Sequence, residues 1–281
     1  MKIRSTLLLA GAAIGACCTT ASAAVVVPVY SQNFEAPVTL GQLTQWSFAD
    51  VHSGIATLDT QPDSLKLHGI QPPVSPTRFL GEFGGDDSLH LTLPLPQQTQ
   101  SVRIEFDAYL LRTWDGTIVE FAGPDTFGYG IAGRNPVLNN TFSNGLGPQD
   151  YCPGLPAGST CLPTTGAESK NQLGFEVRLR PPDPLPGDPP RPPVGTPMSL
   201  VYHFDSGPLA FTGDQVTFDF FSKALQLNSL TDGSVVLDES WGLDNVVVTA
   251  ALVPEPQTWA LLLTGLLLLS YATSRHGRLS R

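Results

Sequence analysis

Strict alternation of apolar and polar residues over Ser101–Leu111 (SVRIEFDAYLL) decides most of what this chain can become. Val102, Ile104, Phe106, Ala108 and Leu110 fall on one face, and Arg103, Glu105, Asp107 and Tyr109 on the other, which is the period of a half-buried strand. Asp214–Ser222 (DQVTFDFFS) repeats the pattern with Val216, Phe218 and Phe220 inward. Leu89–Leu93, Thr117–Phe121, Leu173–Leu179, Leu200–Phe204 and Leu243–Thr249 read as further strands. No amphipathic helix longer than two turns precedes residue 256. Asp115-Gly116, Gly123-Pro124 and Asp232-Gly233 punctuate the turns, and many short strands with turns between them predict an all-β, antiparallel two-sheet β-sandwich.

Residues 181–197 (PPDPLPGDPPRPPVGTP) hold nine prolines. Proline donates no ladder hydrogen bond, so this stretch is expected to be an extended loop outside any sheet. The strands after it are too few to bury a separate core, which favours an insertion within one sandwich over a linker between two. Between Ala24 and Val253 there are 24 acidic residues against ten basic ones. A surface this acidic repels phosphate backbones and excludes nucleic acid as an expected partner, while remaining compatible with hard cations such as Ca²⁺.

Both ends read as addresses. Lys2 and Arg4 precede a short apolar core, Leu7–Ala16, and Ala21-Ser22-Ala23 supplies small residues at a cleavage site. Residues 1–23 therefore read as a secretory signal peptide, leaving 24–252 as the β domain. Ile14-Gly15-Ala16-Cys17 also resembles a lipobox, which would lipidate Cys17. The glycine at its second position and the ordinary cleavage site that follows weigh against that.

At the other end, Pro254-Glu255-Pro256 precedes an apolar run from Trp259 to Ala272, followed by Arg275, Arg278 and Arg281. A 14-residue helix covers about 21 Å, short of the ~30 Å hydrocarbon layer. Trp259 and Tyr271 can sit at the interfaces and the basic end stays cytoplasmic, which places the β domain outside, as the signal peptide also demands. Segment 253–281 resembles the PEP-CTERM sorting signal of Gram-negative bacteria, with a sparser arginine cluster than usual. That resemblance implies an exosortase as partner, transient residence in the inner membrane, and delivery to the cell surface or an exopolysaccharide matrix. The plainer alternatives are a single-span anchor or a buried core helix.

Cys152 and Cys161 are the two cysteines that remain after the signal peptide, within a loop rich in Pro and Gly. In an exported domain such a pair most often forms a disulfide, with a metal site as the alternative.

Several short pieces carry a second resemblance: Gln32-Asn33-Phe34-Glu35, Phe79-Leu80-Gly81, Trp114-Asp115-Gly116, Gly123-Pro124-Asp125-Thr126 and Ser240-Trp241-Gly242-Leu243-Asp244-Asn245-Val246. Together they resemble the jelly-roll sandwiches of galactose-binding-like and carbohydrate-binding modules. In that class the first and last strands lie side by side and often share a structural Ca²⁺; the resemblance implies Glu35 and Asp244 as its ligands. It also implies a sugar platform in which Trp114 and Trp241, with Tyr109, stack on a pyranose while Asp115 and Asn245 bind hydroxyls. The alternative for both tryptophans is the core.

Glu105-Phe106-Asp107 begins the Glu-x-Asp-x-x-Glu strand of laminarinase-like glycoside hydrolases, but the third acid position is Leu110, so the acid/base is missing. The five histidines have no zinc spacing, and there is no Gly-x-Ser-x-Gly or phosphate-binding glycine loop. The expectation is a non-enzymatic surface protein with a structural or carbohydrate-binding role; the competing expectation is a secreted glycan-degrading enzyme.

Overall fold

The computed structural model describes residues 24–36, 42–49, 78–119, 123–145, 147–170, 176–179, 194–197, 199–229, 235–237, 239–253 and 264–270. Signal-peptide residues 1–23 with Cys17, the sorting residues Pro254, Glu255, Pro256, Arg275, Arg278 and Arg281, and most of the proline-rich stretch lie outside them. The chain divides into two compact units, one of residues 26–253 and one of residues 1–25 and 254–281.

The first unit is all-β. Its larger sheet has seven strands in the order β1 (Val25–Gln32), β16 (Glu239–Leu252), β5 (Thr99–Arg112), β11 (Ser199–Asp205), β8 (Ser169–Lys170), with β3 (Leu80–Phe83) on β16 and β12 (Leu209–Ala210) on β5. The smaller has five, in the order β2 (Trp46–Ala49), β4 (Ser88–Pro94), β13 (Gln215–Lys223), β6 (Thr126–Ile131), β7 (Leu138–Thr141). Two separate two-stranded ladders pair β9 (Glu176–Leu179) with β10 (Val194–Pro197) and β14 (Leu227–Ser229) with β15 (Val235–Leu237).

The sandwich follows from the alternation. Val102, Ile104, Phe106, Ala108 and Leu110 of β5 and Val216, Phe218 and Phe220 of β13 are all buried. They meet between the sheets: the Phe106 ring stands edge-on to Tyr129 at 4.8 Å and to Phe220 at 5.1 Å, the arrangement aromatic pairs prefer. Outward Arg103, Glu105 and Asp107 stay at least partly in solvent. Tyr109, expected on the solvent face, is buried because the segment leading into β3 lies over it; the Phe79 ring stacks on Tyr109 at 5.1 Å. Gly242 makes that cover possible, since a Cβ there would lie 2.4 Å from the Phe79 ring.

Two strand expectations fail. Thr117 and Val119 lie in turns, not a strand. Gly116 takes a left-handed φ of 73°, and the Thr117 N–H donates to the Pro148 carbonyl at 2.8 Å instead of joining a ladder. Conversely, Val194–Pro197, expected to stay out of any sheet, pairs antiparallel with Glu176–Leu179. Val194, Gly195 and Thr196 keep their N–H groups, and the single proline in this strand is its last residue.

In the second unit, residues 264–270 are helical. Among the described residues no helix is long and apolar enough to cross a membrane. Four consecutive leucines of this helix, Leu266–Leu269, are nevertheless 54–69% exposed.

Candidate functional site

Two groupings of carboxylates stand out, one foreseen in part and one not. The second is the tighter. Asp115 follows β5, Asp125 precedes β6 and Glu239 opens β16; all three are buried, and one oxygen from each lies within 4.8 Å of the others. Local geometry explains their convergence. Asp115 forms an isolated antiparallel bridge with Ser143, its N–H donates to the Asp125 carboxylate, and the Asp125 N–H donates to the Gly116 carbonyl at 3.1 Å. Gly116 is required there, because a Cβ would lie 2.2 Å from the Pro148 carbonyl oxygen. Gln226 spans the other side, its backbone N–H donating to Glu239 and its Nε2 reaching Asp115 Oδ2 at 3.5 Å.

Ca²⁺ sits ~2.3–2.6 Å from each oxygen ligand, so two ligand oxygens of one ion lie at most about 5 Å apart. The 4.8 Å spread meets that limit, and three carboxylate oxygens suit a hard cation. The neighbouring guanidinium, Arg112, opposite Glu239 across the β5–β16 ladder, is bonded to Glu82 at 2.8 Å.

The first grouping holds the expected metal ligands. Asp244 is buried, directly opposite Asp107 across the ladder. Burial pushes its carboxyl up to about 7, and the nearby Glu35 and Asp107 carboxylates push the same way. The Asn245 N–H, donating to Asp244 Oδ1 at 2.7 Å, and the Tyr109 hydroxyl oppose the shift. Asn245 adopts φ 50° at a bulge that shifts the register between Asp244 and Val247, and its Nδ2 donates to Asp107 Oδ2 at 2.7 Å. The other Asp107 oxygen bonds His203 Nδ1 at 2.8 Å, and this contact raises the His203 pKa. Glu35 and Asp244 are therefore brought together, with Asp107 as an acid that the sequence had placed elsewhere. The charges acting on Asp244 are both negative, so the donor set suits a cation.

The sugar platform is not built as expected. Trp114 and Trp241 are 0% exposed. Their indole N–H groups donate inside the protein, to the Ser240 carbonyl at 3.0 Å and to Ser222 Oγ at 2.9 Å. Neither presents a ring face to solvent, and Tyr109 lies under Phe79. Asp115 belongs to the buried carboxylate grouping, and Asn245, though exposed, is engaged with Asp107. Core packing won over recognition because both tryptophans belong to segments facing the space between the sheets.

Cys152 and Cys161 form the disulfide, with Cα atoms 5.8 Å apart. In the chain-entropy model a loop this short stabilises by about 2.5–3 kcal/mol. Cys152→Ser is expected to lower unfolding free energy by about 2–3 kcal/mol in a denaturant titration, with the slope unchanged.

No family model matches the chain, and no curated protein is detectably similar to it. Fold and site thus define the protein by class alone: a disulfide-bonded, two-sheet antiparallel β-sandwich with carboxylate groupings suited to a cation.

Proposed function

We propose that this is an exported, non-enzymatic surface protein. Its jelly-roll sandwich serves a structural role at the cell surface or in the exopolysaccharide matrix of a Gram-negative bacterium, and segment 253–281 is its PEP-CTERM sorting signal. On this reading an exosortase in the inner membrane recognises Pro254-Glu255-Pro256 and the helix that follows. The observation that carries it is the run Leu266–Leu269, exposed on a helix and assigned outside the sandwich unit. Consecutive helical residues point in all directions, so no single docked face covers four leucines; such a segment needs an apolar medium around it. The disulfide supports an oxidising, extracytoplasmic destination. Burial of both tryptophans favours the structural role over glycan binding. A structural Ca²⁺ completes the proposal, with Glu35 and Asp244 as its expected ligands.

The test is a chain ending at Val253, expressed beside the full chain in the same host. The truncated protein is expected in the culture fluid or periplasm and the full chain on cells or in the matrix. Identical partitioning of the two would sink the sorting role.

A further inference from the structure

We infer that the sandwich is held by one end and presented by the other, with the Cys152–Cys161 loop and the Asp115–Asp125–Glu239 grouping at the outward tip. The inference rests on the sorting role proposed above.

The direction of β1 comes first. β5 occupies one edge of β16 along its whole length, and β3 occupies part of the other edge, at Trp241–Leu243. β1, also a neighbour of β16, must therefore pair beyond Leu243. Glu35, just past the end of β1, lies close enough to Asp244 to act on its carboxyl. A parallel β1 would carry Glu35 toward Leu252 or past it, some 20 Å or more from Asp244 at ~3.3 Å per residue. β1 therefore runs antiparallel to β16, and its start lies beside the end of β16. The chain enters and leaves the sandwich at the same end.

That end is closed by short connections. Residues 95–98 join β4 to β5, 132–137 join β6 to β7, and 206–214 carry β11 through β12 to β13. The Val253 N–H donates to the Gln98 carbonyl there at 2.8 Å. The opposite end roots every long connection: the chain leaves it after Ala49, Arg112, Thr141, Lys170 and Ser229, and returns to it at Thr126, Ser169, Ser199 and Glu239. Asp115, Asp125 and Glu239 lie at that end, as does the disulfide loop, tied to it where Gln149 bridges Cys161 and the Thr164 N–H donates to the Ser143 carbonyl. Long loops gathered on a rigid scaffold are where a β-sandwich carries its variable surface.

The distances fix the consequence. Five residues separate Val253 from Trp259, a tether of at most about 18 Å. β5 alone has 14 residues between the two ends, which is about 45 Å at the rise of a strand. Whatever holds segment 254–281 holds the closed end close and leaves the loop-bearing end far out.

Two single-cysteine reporters in the full chain test this. Gln97→Cys marks the closed end and Glu168→Cys the loop-bearing end, both at exposed positions, with the native disulfide confirmed by mass. Each is labelled with a bulky polyethylene-glycol maleimide on intact cells and again after detergent extraction. Glu168→Cys is expected to react on cells as fast as in detergent, and Gln97→Cys several-fold slower on cells than in detergent. Equal ratios for the two positions, or the reverse order, overturn the inference while leaving surface sorting intact. Reaction of neither on cells, with both reactive after extraction, overturns surface sorting itself and the inference with it.

Discussion

Replacing Trp241 by alanine is expected to cost about 3–5 kcal/mol of unfolding free energy, the range for truncating a buried tryptophan. Trp241 packs 4.8 Å from Phe83 and 5.2 Å from Phe127, one from each sheet, and bonds Ser222 Oγ at 2.9 Å. The substitution leaves a cavity between the layers and strips the Ser222 hydroxyl of its indole donor. Domains have only about 5–15 kcal/mol in hand, so the variant should unfold at a much lower denaturant midpoint with an unchanged slope. A loss under about 1 kcal/mol, the size expected of a surface site, would mean that Trp241 is not core.

The second large effect is expected at Asp244, and its sign depends on calcium. The folded carboxyl titrates at about 7, above its ordinary value of 3.8. The folded state thus binds this proton more tightly than the unfolded chain does. Without a cation, stability falls as pH climbs from about 4 through about 7 and is level above that. Asp244→Asn removes the charge and keeps the shape. In chelator near pH 8 the variant should exceed the parent by about 1–3 kcal/mol, and the gap should close by about pH 4. Saturating Ca²⁺, at a hundredfold excess over its dissociation constant, adds about 2.7 kcal/mol to the protein that binds it. The order of the two proteins should therefore reverse in calcium if Glu35 and Asp244 hold the ion. Asp125→Asn is the companion variant. If it abolishes the calcium response and Asp244→Asn does not, the ion belongs to the Asp115–Asp125–Glu239 grouping instead. A melting midpoint identical in calcium and in chelator for the parent removes the structural ion altogether.

The strands with the cleanest alternation were legible in the sequence, and the sites were legible only in part. β5 and β13 fall within about two residues of their expected ends, because a period of two leaves no other way to bury Phe106, Phe218 and Phe220. Thr117–Phe121 looked like a strand because β-branched residues are common there, yet Gly116 had already turned the chain. Val194–Pro197 looked excluded from any ladder because the prolines were counted over seventeen residues; the last four residues are the least constrained of them.

The tryptophans were visible as important residues, but a sequence does not say which side of a strand end faces the second sheet. Asp125 and Glu239 were passed over for a plainer reason. Asp115 and Asp125 stand at the two ends of one loop and Glu239 comes more than a hundred residues later; only the pairing of β16 with β5 brings them within 4.8 Å. Asp107 was read as half of a failed catalytic motif. Its position opposite Asp244 is a matter of register across a bulge, which no local pattern reveals.

The most direct test of export and sorting is the intact mass of the protein recovered from the host that makes it. The unprocessed chain is 30.0 kDa. Surface-sorted protein should lack residues 1–23 and end, or carry an added group, close to Pro254-Glu255-Pro256, with the Cys152–Cys161 disulfide closed. Recovery of the full 30.0 kDa chain, reduced and soluble in the cytosol, would contradict it.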